Sequence, residues 1–123
     1  MNTRKILGIW MDHSAAHLIN LKEEIKIINS DFDFEMQDEA KQKSENLMHN
    51  KRQQMIGAFY KEISAEILKY NHVLLFGPTN AKVELHNYLN KDLHFKEIKI
   101  DVLAADKMTD NQKIALVKKH FEA

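Results

Sequence analysis

The chain has 123 residues, 44% hydrophobic and 29% charged, proportions of a single globular domain that exclude a disordered chain. Its 18 Lys+Arg balance 18 Asp+Glu, so the formal net charge is zero and the overall basic signature of a free-standing nucleic-acid binder is missing. Without cysteine there is no disulfide, thiolate nucleophile or Cys-based zinc site, and no stretch reaches the ~20 apolar residues that span a bilayer.

Pro78 and three glycines (Gly8, Gly57, Gly77) are the only strong breakers, which predicts long regular elements. Lys5 to Met11 is a short apolar run, a buried strand. Asp12, His13 and Ser14 follow as a polar turn. Ala15 to Leu21 predicts a second strand, with Ala15, His17, Ile19 and Leu21 on one side. Lys22, Glu23 and Glu24 turn into a third strand, Ile25 to Ile28, completing an antiparallel meander. From Ser30 to Glu39 five acids accompany no Lys or Arg, and Phe32, Phe34 and Met36 alternate with them. This reads as a short edge strand running into a loop, or as a docking strand for a basic partner.

A long helix is expected from Ser44 to Tyr70, because Met48, Met55, Phe59, Ile63, Ile67 and Tyr70 form one stripe at helical spacing. His72 to Phe76 is a continuous apolar run ending at Gly77 and Pro78, the pattern of a strand buried on both faces. Thr79 or Asn80 then caps a helix to Asn90, with Val83, Leu85 and Leu89 apolar. Phe95 to Val102 alternates as a strand. Thr109 to Gln112 has the pattern of a capping box, in which the first and fourth side chains bond each other's backbone N–H. It opens a last helix through His120 with Ile114, Val117 and Phe121 inward. The order is β-β-β-α-β-α-β-α: an α/β fold with a mixed five-stranded sheet, helices on its faces and the later strands parallel.

Two stretches carry chemistry of interest. Asp12 and His13 stand at the exposed end of the first strand. Gly77, Pro78, Thr79, Asn80, Ala81 and Lys82 form a strand-to-helix turn whose free N–H groups suit an anion, although the P-loop spacing is absent. Lys82 near a positive helix end calls for a salt bridge, to Asp12 or Asp106, for solvation, or for an anionic partner. Lys41, Lys43, His49, Lys51 and Arg52 make a basic run at the start of the long helix, suited to phosphate contact. Of the seven histidines, His13 and His17 have an i, i+4 spacing but lie on strand and turn rather than on one helical face, and the others are scattered, so no metal site and no cofactor are assigned.

These anchors resemble a small bacterial family of translational-machinery proteins, similar to the middle domain of archaeal and eukaryotic class I release factors and of Pelota. They are Ile9 to Ala16, with its Asp12-His13 pair; His72 to Lys82, with Gly77 and Pro78; and Ala105 to Gln112. The resemblance implies an RNase H-like, three-layer α/β/α domain occupying residues 1–123, with the ribosome, its RNA or a translation protein as partner; the lack of a signal-peptide core at the N-terminus and of a membrane-spanning stretch makes a cytoplasmic protein with no membrane role the default expectation. Because one such domain uses up the 123 residues, the flanking codon-reading and GTPase-recruiting domains of release factors are not expected. One departure is large. The release-factor Gly-Gly-Gln tip has no counterpart: Gln42 is present, but no glycine lies between Gly8 and Gly57.

The reading that follows is a non-catalytic, ribosome- or translation-associated binding domain lacking peptidyl-tRNA hydrolysis. Its contacts would be Asp12, His13, Gly77, Pro78, Lys82, Lys51 and Arg52. The alternatives are a metal-dependent nuclease or phosphatase joining Asp12 to a second carboxylate (Glu23, Glu24 or Asp101), and a protein-interaction module using Phe32, Phe34 and Met36.

Overall fold

The computed structural model describes residues 5–30 and 45–122, with the side chains of 56–122 described in the second stretch. The predicted acidic segment, with Phe32, Phe34 and Met36, therefore lies outside the described residues. So do Lys41 and Lys43 and the side chains of Met48, His49, Lys51, Arg52 and Met55.

Five strands form one sheet: β1 (Ile6–Met11), β2 (Ala15–Ile19), β3 (Ile25–Asn29), β4 (His72–Gly77) and β5 (Lys99–Ala104). Their spatial order is β3-β2-β1-β4-β5. The first three pair antiparallel, and β1, β4 and β5 run parallel. Among the described residues three helices flank the sheet: α1 (Glu45–Ile67), α2 (Ala81–Asn90) and α3 (Asp110–Glu122). The predicted mixed α/β architecture and element order are those observed. No helix among the described residues is long and apolar enough to cross a membrane.

Alternation along the central strands builds two cores. Leu7, Ile9 and Met11 of β1 and Val73 and Leu75 of β4 pack with Phe59, Tyr60, Ile63 and Ile67 of α1 and with Ala81, Leu85 and Leu89 of α2. Ile6, Trp10, Leu74 and Phe76 pack on the other face with Val117 and Phe121 of α3. Two-sided coverage explains why β4 reads as an unbroken apolar run.

Local differences from the sequence reading have physical causes. β2 ends at Ile19 rather than Leu21, because Asn20 Oδ1 accepts the N–H groups of Lys22 and Glu24 and closes the turn. Both faces of β2 are covered, so Ala16 and Leu18 are buried along with Ile19, and Leu21 is exposed. Phe95 belongs to a 3-10 turn, Leu93–Phe95, and not to the strand. Asp92 Oδ1 accepts the His94 N–H and fixes that turn, which buries Phe95, while the strand starts at Lys99. On α2, Val83 is exposed and Ala81 takes the inward place. Thr79 Oγ1 accepts the Ala81 N–H, whereas Asn80 makes no side-chain cap. The Thr109 capping box is formed reciprocally: Gln112 Oε1 accepts the Thr109 N–H at 2.9 Å, and Thr109 Oγ1 accepts the Gln112 N–H at 3.2 Å.

Candidate functional site

Because β1, β4 and β5 are parallel, their C-terminal ends form one edge. Met11 leads into the Asp12 turn, and Gly77, aligned with Ala104, leads into α2. The two turns singled out in the sequence are thereby brought together. Gly77 has φ +152°, and a Cβ on it would meet the Met11 carbonyl oxygen at 2.1 Å. Only glycine lets the strand-to-helix turn lie this close to β1.

Within this edge Asp12 is occupied locally. Its Oδ1 accepts the Ser14 N–H and Oγ–H at 2.8 Å each and the Ala15 N–H at 2.9 Å. Partial burial opposes its ionisation, but the bonds from Ser14 and Ala15 outweigh burial and hold the carboxyl below the ordinary range. His13 Nε2 donates to Glu84 Oε2 at 3.0 Å, and Tyr60 Oη donates to Glu84 Oε1 at 2.8 Å. Burial, then Glu84, push the Tyr60 phenol far above its usual value. This chain of bonds ties the Asp12-His13 turn to α1 and α2.

Lys82 is only 7% exposed, and its ammonium donates to the Thr79 carbonyl oxygen. The charge that looked misplaced at the start of α2 is thus turned back onto the preceding turn. It forms neither of the salt bridges proposed for it, to Asp12 or Asp106, and its neighbours Pro78 and Asn80 are exposed.

Strand register separates Asp12 from the carboxylates named as partners for a shared metal. Asp101 aligns with Leu74 and, through it, with Gly8. Asp12 lies four residues further on, about 13 Å along the strand direction. Glu23 and Glu24 sit in the β2–β3 turn, at the opposite end of the sheet.

On the face covered by α3 sit two polar clusters, one beside that edge and one further down the strands. In the first, Lys113 is 5% exposed and holds its Nζ 4.1 Å above the Trp10 ring, while donating to His17 Nδ1 at 3.3 Å and Asp110 Oδ1 at 3.4 Å. Burial, then the Lys113 charge, lower the His17 pKa.

In the second cluster, His72 from β4, Asp101 from β5 and His120 from α3 converge. His72 Nε2 and His120 Nε2 both donate to the same oxygen, Asp101 Oδ2, at 2.7 and 2.9 Å. Burial disfavours the Asp101 charge, but the bonds from His120 and His72 overcome it and lower its pKa. Among the described residues this is the one group of three or more His, Asp or Glu side chains whose donor atoms are close enough to share an ion, all lying within 4.8 Å of one another. The sequence reading left these histidines scattered, because separations of 29 and 19 residues match no ligand spacing. The available signal was subtler: a histidine opening an otherwise apolar strand, and an aspartate on the face of β5 opposite Ile100 and Val102.

The sequence matches no protein-family profile, and no curated protein matches it significantly. The fold is similar to part of Pelota from Archaeoglobus fulgidus, with a TM-score of 0.60 and 13% identity. The superposition covers 98% of this chain and 32% of Pelota, so the chain spans about a third of that protein's length.

Proposed function

We propose that the chain is a non-catalytic binding domain that associates with the ribosome or a translation protein in the cytoplasm, a member of the bacterial translational-machinery family it resembles. The observation that carries this reading is the superposition of nearly the whole chain on one third of Pelota. The sequence anchors support it independently: the Asp12 turn and the Gly77 turn, quoted for that resemblance, lie side by side on one edge. Peptidyl-tRNA hydrolysis is left out of the proposal because the segment between Gly8 and Gly57 has no glycine to form the hydrolytic tip. Binding would use exposed parts of the edge, namely Pro78, Asn80 and the His13 turn, together with Lys51 and Arg52 at the start of α1. Gly77 shapes the edge, and Lys82 braces it from within.

The test is co-sedimentation with ribosomes from cells expressing the chain, at low and high salt, beside Asn80→Asp. Asn80 is exposed and makes no cap bond, and aspartate is a good N-cap that also suits the positive end of α2. The variant therefore keeps or raises stability while setting a negative charge against RNA phosphate. Salt-sensitive co-sedimentation that Asn80→Asp weakens supports the reading. Absence of a ribosome-bound fraction at low salt removes it.

A further inference from the structure

We propose that His72, Asp101 and His120 form a binding site for a divalent late transition-metal ion, with zinc as the ion their donors suit best. Two imidazoles and one carboxylate are a zinc donor set, whereas calcium and magnesium favour sites made almost wholly of oxygen.

The geometry is close to what the ion needs. Zinc–nitrogen and zinc–oxygen bonds run about 2.0–2.2 Å, so tetrahedral ligand atoms stand roughly 3.3–3.5 Å apart. The two imidazole nitrogens lie 2.7 and 2.9 Å from Asp101 Oδ2. Those two contacts open by roughly half an ångström to admit the ion, and the third separation, between the two nitrogens, is no more than 4.8 Å, so side-chain rotations have to adjust all three. Neutral histidine presents an unprotonated Nε2 in its Nδ1–H tautomer, so all three atoms can point lone pairs at one position.

The frame is rigid in the right way. His72 and Asp101 stand on adjacent strands in fixed parallel register. His120 lies in the last turns of α3, three residues after Val117, which packs against Gly8 of the sheet. The ring of buried Phe121 meets the His72 ring edge-on at 4.8 Å and the His120 ring at 5.0 Å, so an apolar wall holds both imidazoles. All three donors remain partly exposed, with side chains between 24% and 30% accessible. Three protein donors with access to water make an open site, in which water or a small anion takes the fourth position.

The pair His94–Asp92 provides an internal comparison. His94 Nδ1 lies 2.6 Å from Asp92 Oδ1, but that pair is exposed and has no third donor among the described residues. It should bind zinc no better than any surface histidine.

The test uses the tag-free full chain, stripped with a chelator and titrated with zinc chloride. Calorimetry reads stoichiometry and affinity, and nitrogen-correlated NMR reads the imidazoles of the unmutated chain. The expected result is one equivalent bound at micromolar affinity or tighter, shifting the His72 and His120 ring signals and leaving those of His13, His86 and His94 in place. Loss of a supporting second-shell group alone costs about 10–100-fold in metal affinity, so His120→Ala should weaken zinc binding by at least about 100-fold. His94→Ala should leave it unchanged. Binding that saturates only at millimolar zinc, ring shifts centred on other histidines, or equal affinity in folded His120→Ala would each overturn the proposal. The NMR readout needs no variant, so it decides the matter even where His120→Ala fails to fold.

Discussion

The packing of α3 on the sheet depends on Gly8, and a double-mutant cycle measures that dependence. An alanine methyl at Gly8 would sit 2.3 Å from Val117 Cγ2 and 2.9 Å from Cγ1. Overpacking of this kind costs about 1–3 kcal/mol. Gly8 does not have a positive φ, so the alanine backbone is unstrained and recovers roughly 0.4–1 kcal/mol from the stiffer unfolded chain. The clash is the larger effect, and Gly8→Ala should lose about 1–2 kcal/mol. Val117→Ala removes both offending carbons; at about 0.8 kcal/mol each plus a cavity term, it should cost roughly 2–3 kcal/mol. Independent effects would then sum to about 3–5 kcal/mol. In the double variant, however, the new methyl occupies the space that the valine carbons left. Its closest remaining contact, Val117 Cβ at 3.1 Å, needs a shift of only tenths of an ångström. The expected loss for the pair is therefore about 1–2 kcal/mol, a favourable coupling of roughly 2 kcal/mol or more. Urea unfolding followed by Trp10 fluorescence suits the measurement, since Trp10 is the chain's one tryptophan and belongs to the same core. Additivity within about 0.5 kcal/mol would refute this account of how α3, and with it His120, is positioned.

Gly77→Ala should be worse than Gly8→Ala, because the obstacle is the Met11 carbonyl at 2.1 Å, which no side-chain rotation can move, and φ is +152°. Backbone strain and overpacking together predict a loss of about 3 kcal/mol or more in urea unfolding, and a loss under about 1 kcal/mol would contradict the close approach of β1 and β4. The lowered His17 pKa predicts acid sensitivity. The unfolded chain takes up this proton near pH 6.5 and the folded chain only at lower pH, so stability falls as pH drops through the unfolded value toward the folded one. Lys113 and Asp110 of α3 and Asp12 of the neighbouring turn supply the surrounding charges. His17→Gln should flatten the dependence of the urea midpoint between about pH 7 and 5, and unchanged slopes would show that His17 is not its source.

What was legible in the sequence followed from local chemistry. The apolar run from Val73 to Phe76, bounded by Gly77 and Pro78, has the pattern of a strand covered on both faces, and it lies between β1 and β5 with α2 on one side and α3 on the other. The Thr109–Gln112 box could be read because capping is decided within four residues, and both of its bonds form. Phe95 was misread because its period matched the strand that follows; Asp92 sets the 3-10 turn there, and burial of one ring satisfies either conformation. Lys82 was placed near the correct turn, but its buried path back to the Thr79 carbonyl depends on tertiary packing that charge arithmetic does not carry. The His72, Asp101 and His120 cluster was missed for a related reason. Each residue is ordinary in its own segment, and only the parallel pairing of β4 with β5, under a helix that returns across them, brings the three together.

The same topology explains why turn signals and ligand signals diverge in this chain. Parallel strands feed their connections to one edge, so the residues that punctuate the sequence (the Asp12 turn, Gly77 and Pro78) gather there and can be found by reading for turns. Side chains that meet above the sheet come instead from strand interiors and from the helix crossing them, where a polar residue is a departure from pattern rather than a motif. His72 precedes Gly77 by five residues, about 16 Å along β4. The proposed ribosome-facing edge and the proposed ion site thus sit at different levels of one rigid strand. A surface charge such as that of Asn80→Asp, separated from His72 by more than a Debye length of about 8–10 Å, is largely screened there at physiological salt. Failure of ribosome binding would therefore leave the zinc experiment fully informative. Loss of the His72 cluster would equally leave the edge to be judged by sedimentation alone.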